Sequence, residues 1–287
     1  MTILVEGILV ERAGSLTLIE DLGRPGHAHL AVPRSGAADR PACIRANRMA
    51  GNPDGAAVLE MTLLGATLRF EADALVALTG ADMGARLDGA PVAVESSVAV
   101  RAGQVLACGA ALRGVRGYLA VAGGIEAKPL LGSCSHDVMS GLGPPPLRAG
   151  ERLAVGAVRG IPRGVFPPPV IAGVPALYVT PGPRDDWFVP AALRDLAAAP
   201  YIVSPDSNRI AVRLKGAVLA RAIHDELPSE GLVPGAIQVP ADGQPVVMLA
   251  DHPTTGGYPV IGVVLPDDLW MLAQARPGSE VRFAMAA

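Results

Sequence analysis

Aromatic residues make up only 3% of the 287 residues, and cysteine occurs three times. With 50% of the chain apolar, a sizeable core can form, but Val, Leu, Ile and Ala must fill it. Cys43, Cys108 and Cys134 are odd in number and widely spaced, which excludes a disulfide framework. No CxxC or Cys/His spacing suits a structural zinc. His27 and His29 would share a face if they lay on a strand, but no third ligand accompanies them, so no metal site is expected. Basic residues form no runs, and 24 of them against 27 acidic ones leave a net charge of -3. That balance argues against nucleic acid or an anionic membrane as partner. No apolar stretch reaches membrane-spanning length. The opening MTILVEGILVERAG is interrupted by Glu6 and Gly7 and has no basic segment before it. It reads as a strand rather than a signal peptide, and a cytoplasmic location is expected by default. Also missing are GxxxxGK[ST], GxSxG and a Met-Lys-Met context. These absences exclude a P-loop ATP site, a nucleophile elbow and a covalently held biotin. GLGPPPLRAG is no dinucleotide fingerprint, because prolines fill it.

Glycine and proline are plentiful instead, 34 and 27, scattered as punctuation between short apolar runs. In PVAVESSVAV, Val92, Val94, Val98 and Val100 share one parity and hence one face of an extended segment. SLTLIE, ALVALTG, RLAVGAV, ALYVT, PVVML and VIGVV read as further strands. One turn-plus-strand phrase recurs as RAGQVLACG at 101–109, RAGERLAVG at 148–156 and, more loosely, RPGSEVRF at 276–283. HLAVPRSGAAD at 29–39 resembles AIQVPADGQPV at 236–246, which hints that the two halves are related barrels. Helices are few. Asp39 is placed to cap one reaching about Met49. Pro190 suits the first turn of a second, carrying Leu193, Leu196 and Ala197. Pro266 and Asp267 begin a third, with Leu269, Trp270, Leu272 and Ala273, stopped near Pro277-Gly278. The proline-rich connection at about 157–170 suits a lobe boundary stiffened toward polyproline II. The expectation is a mainly β chain of two lobes, 1–160 and 161–287.

Polar groups cluster in Gly-rich loops, where a rigid β scaffold usually carries its site. DHPTTGGYP at 251–259 is the densest, with Asp251, His252, Thr254, Thr255 and Tyr258, and with Gly256 and Gly257 allowing close backbone approach. A capped hairpin turn would use the same residues; the density of functional groups favours a site. SGAAD contributes Ser35, Gly36 and Asp39. Asn47 and Asn52 flank a helix end, and Asn52 before Pro53 reads as turn chemistry. Arg24 and Arg209 could grip a carboxylate in bidentate fashion, although a loop arginine is more often a surface residue. GSCSHD holds Ser133, Cys134 and Ser135 beside His136 and Asp137, but adjacency in sequence is not triad geometry.

Taken together, DLGRPGHAHLAVPRSGAAD, ANRMAGN, YLAVAGGI, GSCSHD, SNR with RLKG after it, PGAIQVPADGQP and DHPTTGGYP resemble the family of the C-type subunit of bacterial 5-oxoprolinase. That family also holds allophanate hydrolase subunit 2 and the carboxyltransferase domain of urea carboxylase. The likeness runs nearly the length of the chain in order. Ala38 stands where the family often has Met, Pro253 where it often has Gln, and Ile210-Ala211 where Met-Gly is common. Cys134 and His136 also depart from the usual GS-x-S residues. The resemblance implies two tandem cyclophilin-like β-barrel subdomains with a few short helices. It implies two partner proteins, a B-type 5-oxoprolinase subunit of kinase-inhibitor-like fold and an A-type subunit of the LamB/YcsF kind. The implied reaction is ATP-dependent opening of 5-oxoproline to L-glutamate, with ATP as co-substrate, with or without Mg. In that chemistry Asp39, Asp251 and Tyr258 are the candidate catalytic residues. Arg24, Ser35, Gly36, Asn47, Asn208, Arg209, Gln238, Thr254, Thr255 and Gly256 are candidates for substrate binding. Asp251 and Tyr258 are expected to face Ser35 and Asp39 in a site shared between lobes. Two alternatives stay open. One is a carboxyltransferase acting on a urea-like amide with carboxybiotin brought by another protein; Lys128 before Pro129 and Lys215 before Gly216 read as ordinary surface residues. The other is a non-catalytic antagonist of a kinase inhibitor.

Overall fold

The computed structural model describes residues 6–164 and 173–286. The Pro167–Pro169 run of the expected boundary lies outside them, as do the first five residues of the opening strand. Two compact units are present. The first takes the described residues up to Arg24, Ser35–Asp137 and the segment from Gly141; the second takes Pro25–Arg34, Val138–Ser140 and the C-terminal part.

The first unit is built from two sheets. A seven-stranded one runs in the order Ile125–Glu126, Arg152–Val155, Glu6–Arg12, Thr67–Phe70, Val105–Ala107, Arg86–Leu87, Ala90–Pro91. A five-stranded one runs Leu16–Glu20, Val58–Thr62, Arg113–Val121, Ala74–Asp82, Ser96–Val100. Ile8, Val10, Leu68, Phe70 and Leu106 of the first pack with Leu59, Met61, Val76, Leu78, Leu119 and Val121 of the second. Each such aliphatic side chain contributes roughly 1.5–3 kcal/mol by leaving water. On the other face of the five-stranded sheet lies helix α1, Arg40–Met49. Ala42, Ala46 and Ala50 recur every fourth residue and, with Cys43, form a small-residue stripe that lets the helix sit close to Val58, Ala77 and Ala120. The Asp39 side chain accepts from the Ala42 N–H at 2.9 Å, so the expected cap is present.

In the second unit a seven-stranded barrel closes in the order Ala176–Pro181, Val260–Val264, Ala236–Gln238, Val246–Met248, Ala211–Lys215, Tyr201–Val203, Glu280–Met285. Parallel pairing of its first and last strands completes the ring. Leu177, Val179, Val212, Leu214, Ile237, Val247 and Ile261 fill it, with Tyr201 edge-on to Phe283 at 5.7 Å. Helix α2, Ala192–Ala198, and helix α3, Leu269–Gln274, pack on this core through Ala192 and Leu196, and through Leu272. A two-stranded sheet joins Glu230–Gly231 to Thr255–Gly256.

The recurring phrase is one structural device used three times. Gly103, Gly150 and Gly278 all have positive φ, 89°, 91° and 84°. The residue after each donates its N–H to the carbonyl of the arginine two before each glycine. Positive φ at the third residue, with Pro277 at the second in one copy, is the signature of a type II turn. Each glycine N–H donates to the carbonyl of a neighbouring residue (Phe70, Val10 or Val203) whose own N–H bonds back to the residue after the glycine.

Three expectations are corrected. PVAVESSVAV is not one strand: Glu95 takes φ 56° and breaks it, leaving Ser96–Val100 as the strand. Its parity survives the break, with Val92, Val94 and Val98 half-buried and Val100 buried. His27 and His29 do not share a strand face, because Ala28–Leu30 is a 3-10 turn preceded by His27. For the same reason HLAVPRSGAAD and AIQVPADGQPV part company: the second enters a barrel strand, and what they share is a turn glycine, Gly36 at φ 97° and Gly243 at 71°.

Nothing lies within 4 Å of a Cβ built on Gly103, Gly150 or Gly278, so alanine there meets only backbone strain. Each substitution is expected to cost about 1–2 kcal/mol in chemical denaturation. On Gly123, at φ 97°, a Cβ would sit 1.9 Å from the Gly156 carbonyl oxygen. Gly123→Ala should cost about 3 kcal/mol or more; a cost equal to the other three would refute the packing account.

Candidate functional site

Each unit carries its own buried polar cluster, and the loops singled out in the sequence supply most of both. In the first unit, Ser35 adopts φ 54° and Gly36 φ 97°. A Cβ on Gly36 would lie 2.8 Å from the Gly23 nitrogen, so only glycine lets the two loops approach. The Ser35 hydroxyl donates to Asp137 Oδ2 at 3.0 Å and accepts from Arg24 Nη1 at 3.1 Å. Arg24 is 1% exposed rather than a surface residue. Its guanidinium also donates to the carbonyls of Ser135 and Leu130. The grip is thus on a hydroxyl and two backbone oxygens, not on a carboxylate.

The GSCSHD loop is anchored by Asp21. Its Oδ1 accepts from the Ser133 and Ser135 hydroxyls at 2.6 and 2.7 Å and from the Gly23 N–H at 2.7 Å. Its Oδ2 accepts from the Cys134 N–H at 2.6 Å. Asn47 is buried in α1 and does not turn toward the Ser35–Asp39 loop. Its amide donates to the Asp54 and Ala56 carbonyls and its oxygen accepts from Asn52. Asn52 in turn bonds the Val121 carbonyl and the Gly123 N–H, so ANRMAGN staples the end of the helix to the end of a sheet strand.

Beneath the Ser35–Asp39 loop lies a group of side chains that the sequence pattern did not single out. Glu20, Glu60, Arg116 and Tyr118 are all buried on the α1 face of the five-stranded sheet. Arg116 Nε lies 3.6 Å from Glu60 Oε1. Burial pushes the Cys43 thiol up, and the carboxylates of Glu60, Glu20, Asp21 and Asp39 push it further. Burial likewise holds the Tyr118 phenol well above its usual range, with the Glu60 and Asp39 charges adding to it. Both side chains stay protonated in this acidic surrounding. The available signal was a charged residue inside an apolar strand, as in VLEMT and VRGYLAV.

In the second unit, Arg209 and Asp251 form a bidentate pair, Nε to Oδ2 at 2.8 Å and Nη2 to Oδ1 at 3.1 Å. They are 2% and 0% exposed. Arg209 therefore grips a carboxylate as its type allows, and the carboxylate belongs to this chain. Asp251 Oδ2 also accepts from the Val138 N–H at 3.2 Å. Asn208 is exposed and its side-chain oxygen accepts from the N–H groups of Ile210 and Ala211, an Asx turn that presents Arg209. Gln238 donates to the Tyr258 carbonyl at 3.1 Å. A Cβ on Gly256 would lie 2.5 Å from the Gln238 amide nitrogen, so a larger residue there would displace that amide. Thr255 and Tyr258 are exposed, Thr254 is half-buried, and the Thr254 carbonyl accepts from the Leu232 N–H. Arg184 forms a two-pronged pair with Glu230, across the small sheet from Gly256, and holds that carboxyl below its ordinary range.

The carboxyltransferase domain, subdomain A and B, matches residues 30–285. The chain belongs to that family. This carboxyltransferase-domain protein is 38% identical to the 5-oxoprolinase C-type subunit of Escherichia coli over 96% of the chain and 90% of that protein. It is 34% identical to the 5-oxoprolinase C-type subunit of Haemophilus influenzae over 94% of the chain and 88% of that protein. Among solved structures, TTHA0988 superposes with a TM-score of 0.89 at 38% identity, covering 97% of this chain and 56% of that one. The chain thus spans about half the length of that structure. The Kluyveromyces lactis urea amidolyase superposes over 100% of this chain and 19% of its own, with a TM-score of 0.90 at 27% identity. The mainly β expectation and the family resemblance are both borne out.

Removing one member of a buried ion pair strands the other charge. Asp251→Ala is expected to destabilise the protein by about 3–5 kcal/mol, well above the roughly 1 kcal/mol of losing the Asp39 cap. The double variant Arg209→Met/Asp251→Leu should recover most of that loss. A cost below about 1 kcal/mol for Asp251→Ala in urea denaturation would mean that the pair is screened like a surface bridge.

Proposed function

We propose that this chain is the C-type subunit of an ATP-dependent 5-oxoprolinase, working with a B-type partner protein and a LamB/YcsF-type protein. The observation that carries the reading is the extent of the match. It runs end to end with two bacterial proteins named as the C-type subunit of 5-oxoprolinase, covering 90% and 88% of them. The urea amidolyase of Saccharomyces cerevisiae, 29% identical, is covered for only 16%.

A lactam resists hydrolysis at neutral pH because its nitrogen donates into the carbonyl. Transfer of the ATP γ-phosphoryl group to the lactam oxygen withdraws that density. Water then adds to the ring carbon and the C–N bond breaks, leaving γ-glutamyl phosphate, from which a second water releases phosphate and glutamate. Such a path needs donors for phosphoryl oxygens and a polar cradle for the ring. Each unit is assigned a substrate contact of its own, the Ser35–Asp39 loop in the first and the Thr254–Tyr258 loop in the second, with Tyr258 as the exposed group that orients substrate or water. Arg24 and Arg209 are engaged within the chain, by Ser35 and two carbonyls and by Asp251. That engagement favours placing the ATP phosphates on a partner protein.

A second reading is favoured by the family's own description, carboxyltransferase. Here the same contacts would accept a urea-like amide and a carboxybiotin carried by another protein.

The purified three-protein complex is expected to release glutamate from 5-oxoproline only with ATP present. A complete, folded complex that releases none overturns the first reading. Turnover of a urea-like amide that depends on a biotinylated partner would establish the second.

A further inference from the structure

We infer that Glu60 and Tyr118 are positioning residues, which hold the Ser35–Asp39 loop from the sheet beneath it in its ligand-binding conformation. The inference rests on the proposed function for its kinetic consequence, and on geometry for the rest.

The loop cannot hold itself. Ser35 and Gly36 stand in succession at φ 54° and 97°, and a serine in the left-handed region is strained by about 1–2 kcal/mol. Such a conformation persists only where its surroundings over-determine it. The next three amides show how. The Ala37 N–H donates to the Asp21 carbonyl at 2.9 Å. The Ala38 N–H donates to Glu60 Oε2 at 3.0 Å. The Asp39 N–H donates to the Tyr118 hydroxyl at 2.7 Å, and that hydroxyl donates to Glu60 Oε2 at 2.7 Å.

These side chains converge because of strand register. Glu60 lies directly opposite Tyr118, and Tyr118 opposite Thr79, in one row across three strands. Thr79 completes the row, its hydroxyl donating to the Ala42 carbonyl at 2.8 Å in the first turn of α1. Arg116, two residues before Tyr118 and on the same face, steadies the far oxygen of Glu60. A rigid sheet thus dictates where Asp39 begins the helix and where Ser35 and Gly36 turn. A displacement of about 1 Å in such a loop can cost about 100-fold in rate.

The test uses the complete enzyme with 5-oxoproline and ATP, together with amide hydrogen exchange. Tyr118→Phe removes one oxygen and orphans the Asp39 N–H. It is expected to lower kcat/KM by about 10- to 100-fold, chiefly in kcat, and to speed exchange at Ala38 and Asp39. Glu60→Gln keeps a carbonyl acceptor and should retain activity within about fivefold, whereas Glu60→Ala should fall with Tyr118→Phe. Tyr201→Phe is the control: it also removes a buried hydroxyl, one bonded to the Ala217 carbonyl in the other unit, and should stay within about twofold. Wild-type kcat/KM in folded Tyr118→Phe, or unchanged exchange at Ala38 and Asp39, overturns the inference. A wild-type complex that releases no glutamate overturns the proposed function instead, and the exchange rates then decide the loop-holding role alone.

Discussion

The carboxylate of Asp21 is the point on which the loops of the first unit depend. Four donors converge on it, three on one oxygen and one on the other. Its backbone adds two more links, the N–H to the Ser135 hydroxyl and the carbonyl to the Ala37 N–H. One residue therefore joins three loops far apart in the chain. A carboxylate has about four acceptor positions, so four donors leave this one little for a ligand. That decides its role: Asp21 builds the frame. Ser35, whose hydroxyl bridges Arg24 and Asp137, belongs to the part that the frame presents.

The second unit solves the same problem with charge instead of hydroxyls. Arg209 and Asp251 neutralise each other where both are buried and poorly screened by solvent. Taking both out of water is expensive, and a well-packed apolar pair of similar size is often as stable or more so. Stability alone thus gives weak reason for the pair. What it supplies is geometry: the Asx turn at Asn208 and the start of the 251–259 loop are tied by a two-pronged bond with one acceptable orientation. Gln238 and Arg184 brace the other end of that loop. Threonine and tyrosine side chains are thereby left toward solvent on a backbone that is not free to wander.

Local features were legible in the sequence, and non-local ones were not. The Asp39 cap and the three Gly turns follow from residue types within a few positions of each other, whereas the need for glycine at position 36 comes from Gly23 in another loop. The strand parity of Val92 to Val100 was readable, but the break at Glu95 was not, since a glutamate at positive φ has no local signal. Glu60 and Tyr118 show the limit most clearly. Each looks like an isolated polar residue in an apolar strand, and their meaning depends on register. Only when Val58–Thr62 and Arg113–Val121 pair do the two face each other under a loop that precedes both. Arg24 and Arg209 were flagged for their chemistry, yet their partners, Ser35 and Asp251, lie 11 and 42 residues away.

This separation bears on where chemistry can reside. In both units, the side chains with the greatest chemical potential (Arg24, Asp21, Arg209, Asp251, Glu60) are buried and already bonded. In the 254–258 loop the exposed groups are milder, the hydroxyls of Thr255 and Tyr258. Hydroxyls of that kind can hydrogen-bond a small polar ring, but they cannot neutralise a transferring phosphoryl group, which needs cations within reach. On the reading proposed above, cations for that group come from a partner protein, and what this loop offers is hydroxyls and backbone.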